Sequence, residues 1–312
     1  MNMRATNLIL AALAALALAG CTSKPEARPM DEPMRIARDS AAAYYADGRF
    51  AAAEVEYERA LARAYVLDNG QAAARYRYQI AVCKLGLGKL DEARASFSAA
   101  SREAVKEGAF LLAAQAETAE ARVALEQGKA AEAKSLAAQA LKRPRTANPL
   151  DEPDFRLRAD AHLVLAEAAA TDDGKRARAE LAEARKEWGK TQPEPVFEAV
   201  AARVEGLILA GEPGKTQDAA KAFEREGEQW QAARRYRERA SALERAAIQT
   251  ETLPKEGPIK AAALYLKAAR IRYGLGQREE ARKLAAQAAR LAEQGGRGDL
   301  VELARLLQEK AP

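Results

Sequence analysis

The chain has 312 residues, with 50 lysines and arginines against 45 aspartates and glutamates, a formal net charge of +5. So mild a surplus gives no support to a nucleic-acid-binding surface, and the densest basic run, "RRYRER" at 234–239, reads as a solvated helix face. Alanine is abundant, aromatics make up only 5% and turn signals recur, a combination that suggests many helices in close contact.

The opening stretch, "MNMRATNLILAALAALALAGC", has the layout of a secretory signal, with Arg4 at the positive end and an apolar run from Leu8 to Ala19. A membrane-spanning helix needs about 20 apolar residues, so this run is short for a permanent span. Leu18-Ala19-Gly20-Cys21 resembles the lipobox of bacterial lipoproteins. The resemblance implies a signal peptide over 1–20, cleavage before Cys21, and acylation of the Cys21 thiol and of the new amino group. Each buried methylene contributes about 0.8 kcal/mol, so two or three chains hold almost permanently. Thr22 follows where an aspartate would mark the inner membrane in enteric lipoproteins, which implies the periplasmic face of the outer membrane. Residues 21–33 then read as the lipidated cysteine and a proline-bearing tether. With Cys21 lipidated, Cys83 has no partner in the chain. It lies in "YQIAVCKLGLG" and is expected to be a buried small hydrophobe.

From residue 34 an internal repeat appears. "GRFAAAEVEYERAL" begins at Gly48, "GKLDEARASFSAAS" at Gly88, "GKAAEAKSLAAQAL" at Gly128 and "GQREEARKLAAQAA" at Gly276. The first three are evenly spaced, at a period of forty. Glycine ends one helix in a left-handed cap, and alanines seven apart (Ala53/Ala60, Ala93/Ala100, Ala133/Ala140, Ala281/Ala288) line one face of the next. Tyr57 and Phe97 stand between the alanines as larger fillers. The pattern G-x-[YFL]-x-x-A-x-x-x-[YF]-x-x-A resembles the second half of a tetratricopeptide repeat. The period is longer than that family's own, and the proline at the family's repeat end is mostly missing. The resemblance implies an all-α fold, a right-handed α-α superhelix of antiparallel helix pairs over 34–294.

Three prolines in "KRPRTANPLDEP" (142–153) interrupt the helices. Helices should resume from Asp154 to about Thr171 and from Lys175 to Trp188, with a further break at "TQPEP". "GLILAGEPGKTQ" (206–217) looks at first like a phosphate-binding loop, but Leu209 stands where the leading glycine belongs. It fits the repeat better: Gly214 lies one such period after Gly174 and leads to Ala219 and Phe223. Gly227 begins a second plausible copy through Ala232 and Tyr236, leaving two ways to pair the helices between 215 and 257. Residues 295–312 read as a capping helix started by Asp299 as N-cap.

The sequence shows no nucleophile elbow and no metal motif. His162 is the single histidine, on a helix without ligating partners, and reads as structural or groove-facing. No catalytic residues, metal or cofactor are expected beyond the lipid on Cys21. In tetratricopeptide arrays the first helices of the pairs line a groove that holds a peptide segment or a partner's helix. Carried over, those positions are Arg35, Arg38 and Tyr45, then Arg75, Tyr78 and Leu85, then Arg122, and finally Arg270 and Tyr273. Arginine and tyrosine suit an acidic or carboxylate-bearing segment. The expectation is a membrane-anchored interaction scaffold of the bacterial envelope that binds neither nucleotide nor nucleic acid. A solute- or glycan-binding lipoprotein is the alternative, with an envelope hydrolase further behind.

Overall fold

The computed structural model describes residues 31–144, 152–189 and 194–310. The expected signal, Cys21 and the tether as far as residue 30 lie outside them, as do 145–151 and 190–193, where much of both proline-bearing loops falls. Fourteen helices follow one another, and no strand occurs, among the described residues. The regular first part holds α1 (Glu32–Ala46), α2 (Phe50–Val66), α3 (Gly70–Gly86), α4 (Leu90–Lys106), α5 (Phe110–Glu126) and α6 (Ala130–Lys142). Then come α7 (Glu152–Ala169) and α8 (Gly174–Trp188). The last part holds α9 (Pro195–Ala210), α10 (Thr216–Ala232), α11 (Tyr236–Glu251), α12 (Gly257–Gly274), α13 (Arg278–Gln294) and α14 (Gly298–Lys310).

Local chemistry sets the helix ends. Asp31 accepts the Met34 amide at 3.1 Å, so α1 opens at Glu32, just ahead of position 34. After α1, Gly48 takes φ 72 and donates to the Tyr45 carbonyl at 3.0 Å, while the Arg49 amide reaches the Tyr44 carbonyl at 2.8 Å. This pair of bonds satisfies carbonyls that a helix end leaves open. The same pair recurs at Gly88, Gly108, Gly128, Gly276 and Gly296, and Asp68 forms it at φ 50. Positions 48, 68, 88, 108 and 128 are evenly spaced, so each period of the sequence repeat is two equal steps.

The alanine stripes are the contact surfaces. Seven of those eight repeat alanines are fully buried and Ala140 nearly so, with Phe97 at 1% and Tyr57 at 6% exposure between them. Consecutive helices pack against each other along the whole chain. Beyond these neighbours, α3 touches α5, α5 touches α7 and α7 touches α9, whereas near the end α12 touches α14. Such contacts join the odd helices α3, α5, α7 and α9, and at the end the even helices α12 and α14. The chain is therefore an all-α, tetratricopeptide-like solenoid in which the contacts between next-but-one helices pass from odd to even helices between α9 and α12, an exchange of partners.

That exchange passes through the segment with two possible pairings. Residues 206–217 are the end of α9, a turn with Gly214 at φ 75, and the start of α10. Gly227 is no turn: it is buried in the middle of α10, and a Cβ there would touch Ala242 and Leu243 of α11. Arg234, at φ 58, closes α10 instead. Gly174 does not share the role of Gly214 either, because it opens α8 behind Asp173, which accepts the Arg176 amide at 2.9 Å. Asp299 also departs from expectation. It lies in the first turn of α14, its carboxylate held by Arg297 at 2.8 and 2.6 Å, and is not the cap.

Candidate partner-binding cleft

Residues three and four apart share a helix face, so Tyr78 and Gln79 follow Arg75 on α3, and Arg122 follows Gln115, Thr118 and Ala119 on α5. On α7 the matching face carries Arg156, Leu157 and Asp160. Because α3, α5 and α7 touch in sequence, these faces meet in one open cleft of about 730 Å³. Tyr78 is set in it by Phe97, whose ring meets its own edge-on at 5.3 Å. Burial pushes the Tyr78 phenol above its ordinary value; the negative charge of Asp160 adds to this and Arg122 opposes it. Arg122 donates to Asp160 at 2.9 Å across α5 and α7. Arg156 lies over the Trp188 ring at 5.6 Å and pairs with Glu194 at 3.6 Å. The half-buried side-chain amides of Gln79 and Gln115 have no hydrogen-bond partner among the described residues. Such amides match the alternating donors and acceptors of an extended peptide.

Of the nine groove residues expected from the sequence, Tyr78 and Arg122 line this cleft. Arg75 is exposed one turn before Gln79. Leu85 packs half-buried against the cluster of Ala81 and Phe97. On α1, Arg35 pairs with Glu32 and Asp39, Arg38 pairs with Asp39 at 2.7 Å, and Tyr45 meets Phe50 edge-on at 5.4 Å. Arg270 is exposed on α12, and Tyr273 packs against Ala269, Ala285 and Leu307. Those two lie on α12, away from this cleft. Gln79, Gln115, Arg156 and Asp160 were missed because they do not occupy the carried-over positions. One signal would have found Asp160: it stands 38 residues after Arg122, as Glu132 does after Arg94 and Glu103 after Tyr65, and all three pairs are bonded.

The other polar candidates are structural. His162 bonds Glu180 at 2.8 Å and braces α7 to α8. Cys83 is fully buried, and burial, helped by Glu54, pushes its thiol up to about 11. Glu226, fully buried on α10, accepts from Arg203 at 2.9 Å, Arg245 at 2.6 Å and the Trp230 indole at 3.0 Å. Burial works against the charge on Arg203, but Glu167 and Glu226 more than offset it and hold the guanidinium more firmly protonated. No group of three or more potential metal ligands occurs among the described residues.

No known family profile matches the chain, and no curated protein matches it. Among solved structures, the chain is similar to the TPR2AB domain of yeast Sti1 in its pHSP90 complex, at 13% identity over 89% of this chain and 98% of that one, TM-score 0.34. It is also similar to a tetratricopeptide repeat protein from Parabacteroides merdae, at 13% identity over 88% and 100%, TM-score 0.42. The APC/C hetero-tetramer Cut9–Hcn1 gives 14% identity over 87% of this chain and 54% of that one, TM-score 0.38.

Proposed function

We propose that the chain is a non-catalytic interaction scaffold, anchored by lipid on Cys21 in the bacterial envelope, which holds an extended segment of a partner protein in the α3–α5–α7 cleft. One observation supports this reading above the others: an open cleft with a fixed tyrosine, two unpartnered amides and an accessible arginine–carboxylate pair. Every peptide offers the complementary groups. The lipobox-like Leu18-Ala19-Gly20-Cys21 motivates the anchor, and Thr22 the outer membrane.

Site-specific photo-crosslinking tests both halves. A photoreactive residue at Gln115 should trap a partner in native envelopes, while one at the exposed Lys221 of α10 should not. Equal trapping from both positions would remove the cleft from the account. Cys21→Ser should leave uncleaved precursor without acyl label, and unchanged labelling would refute the anchor.

A further inference from the structure

We propose that Asp160 is a built-in competitor for a carboxylate of the partner, occupying Arg122 until that carboxylate displaces it. This deepens the peptide-binding reading above and rests on it. Two other ion-paired carboxylates of the array are held quite differently. Glu226 and Glu117 are almost wholly buried and multiply bonded: Glu226 by Arg203, Arg245 and Trp230, Glu117 by Arg143, Ser101 and Gln139. Removing a partner there would strand a buried charge. The Arg122–Asp160 pair differs in every respect. It is a single bond at 2.9 Å between side chains that are 35% and 44% exposed, inside an open cleft.

Such a pair is screened by water and contributes only about 0–1 kcal/mol. Nor do α5 and α7 need it to stay together, since Ala121 and Ala124 share a buried apolar cluster with Val164 and Leu165. A carboxylate engaging the Arg122 fork through two parallel bonds makes a stronger contact than this single one. Gln79 and Gln115 would then hold the main chain beside it. Exchange at Arg122 lets acidic segments in and leaves the guanidinium neutralised when none is bound.

Random dodecapeptides provide the test, in one pool with free carboxyl termini and one with amidated termini. Both are captured on immobilised wild-type, Asp160→Asn and Arg122→Gln full chains of matched helicity and then sequenced. Asp160→Asn should enrich carboxylate-bearing peptides up to about fivefold over wild type, the equivalent of ~1 kcal/mol. Arg122→Gln should lose the enrichment altogether. Enrichment confined to the free-terminus pool identifies a chain end, and equal enrichment in both identifies aspartate or glutamate side chains. If Asp160→Asn selects the same peptides as wild type while Arg122→Gln selects fewer acidic ones, the competitor role is overturned and the cleft stands. If all three chains select identical peptides, or none selects any, the cleft reading falls as well.

Discussion

Cys83 shows how burial alone silences a reactive group. Its sulfur is fully buried near Glu54, and its thiol ionises only at about 11 against an ordinary value of 9.0. Below pH 9 the thiol is protonated in folded and unfolded chains alike, and its contribution to stability is fully present. Between pH 9 and 11 the unfolded chain releases the proton and the native one keeps it, so stability falls as pH rises through that window. The wild type should lose roughly 2–3 kcal/mol more than Cys83→Ala across that window, at about 1.4 kcal/mol for each tenfold difference in proton affinity. Buried tyrosines also titrate at high pH in both proteins, and of these Tyr57, whose phenol is raised chiefly by burial and further by Cys83, is the one the substitution touches. Urea denaturation at pH 8 and pH 11 checks it, and an equal loss of stability in the two proteins would mean that the thiol is not shielded. Ala93 is the opposite kind of residue, valuable for what it lacks. It is fully buried between α4 and its neighbours, so Ala93→Arg forces a charge where no solvent reaches. The melting temperature should drop by about 5 °C or more, and a neutral outcome would show that this face does not carry the packing.

At the scale of the element, the turn is the unit that repeats. Gly88 takes φ 74 with nothing within 4 Å of where its Cβ would stand, so Gly88→Ala meets no neighbour and suffers only the left-handed backbone. The cost should be about 1 kcal/mol. Asp68 already bears that cost at φ 50 in an equivalent turn, so Asp68→Gly should gain a few tenths of a kcal/mol after the added freedom of the unfolded chain is subtracted. Chemical denaturation of the two variants should move in opposite directions. The same turns explain what was legible in the sequence. Gly48, Gly88 and Gly128 announced themselves because glycine is the ordinary solution to a left-handed cap, whereas Asp68 and Arg234 solve it without one and left no mark. Missing Arg234 is what made Gly227 look like a turn. The cleft was harder to read for a related reason: Gln79, Gln115 and Asp160 matter through which helices touch across a repeat, and helical periodicity within one segment carries no such information.

Across the whole molecule, stability is distributed as a chain of local interfaces, since each helix meets mainly its neighbours. These interfaces are unequal. From α7 onward one large cluster joins α7, α8 and α9 to Trp230 and Ala242, with Trp188 stacked on Phe197 at 4.4 Å and an interplanar angle of 4°. Where α6 meets α7 the fully buried side chains are smaller. There the α5–α6 side offers chiefly alanines, Ala121, Ala124, Ala133 and Ala137, to Val164 and Leu165. Cutting at this point uncovers those alanines with Leu125, Leu136 and Leu141 beside them, while α1 to α4 keep their own clusters. A chain of residues 31–144 should therefore stay helical and unfold cooperatively, at a somewhat lower midpoint than the parent. It should nevertheless fail to trap the partner from position 115, because the far wall of the cleft, Arg156, Leu157 and Asp160, belongs to α7. Circular dichroism and photo-crosslinking on the same preparation separate the two properties. Trapping by the folded fragment would mean that α3 and α5 suffice and that α7 is scaffold; loss of helicity would mean that the array is more cooperative than its neighbour contacts imply.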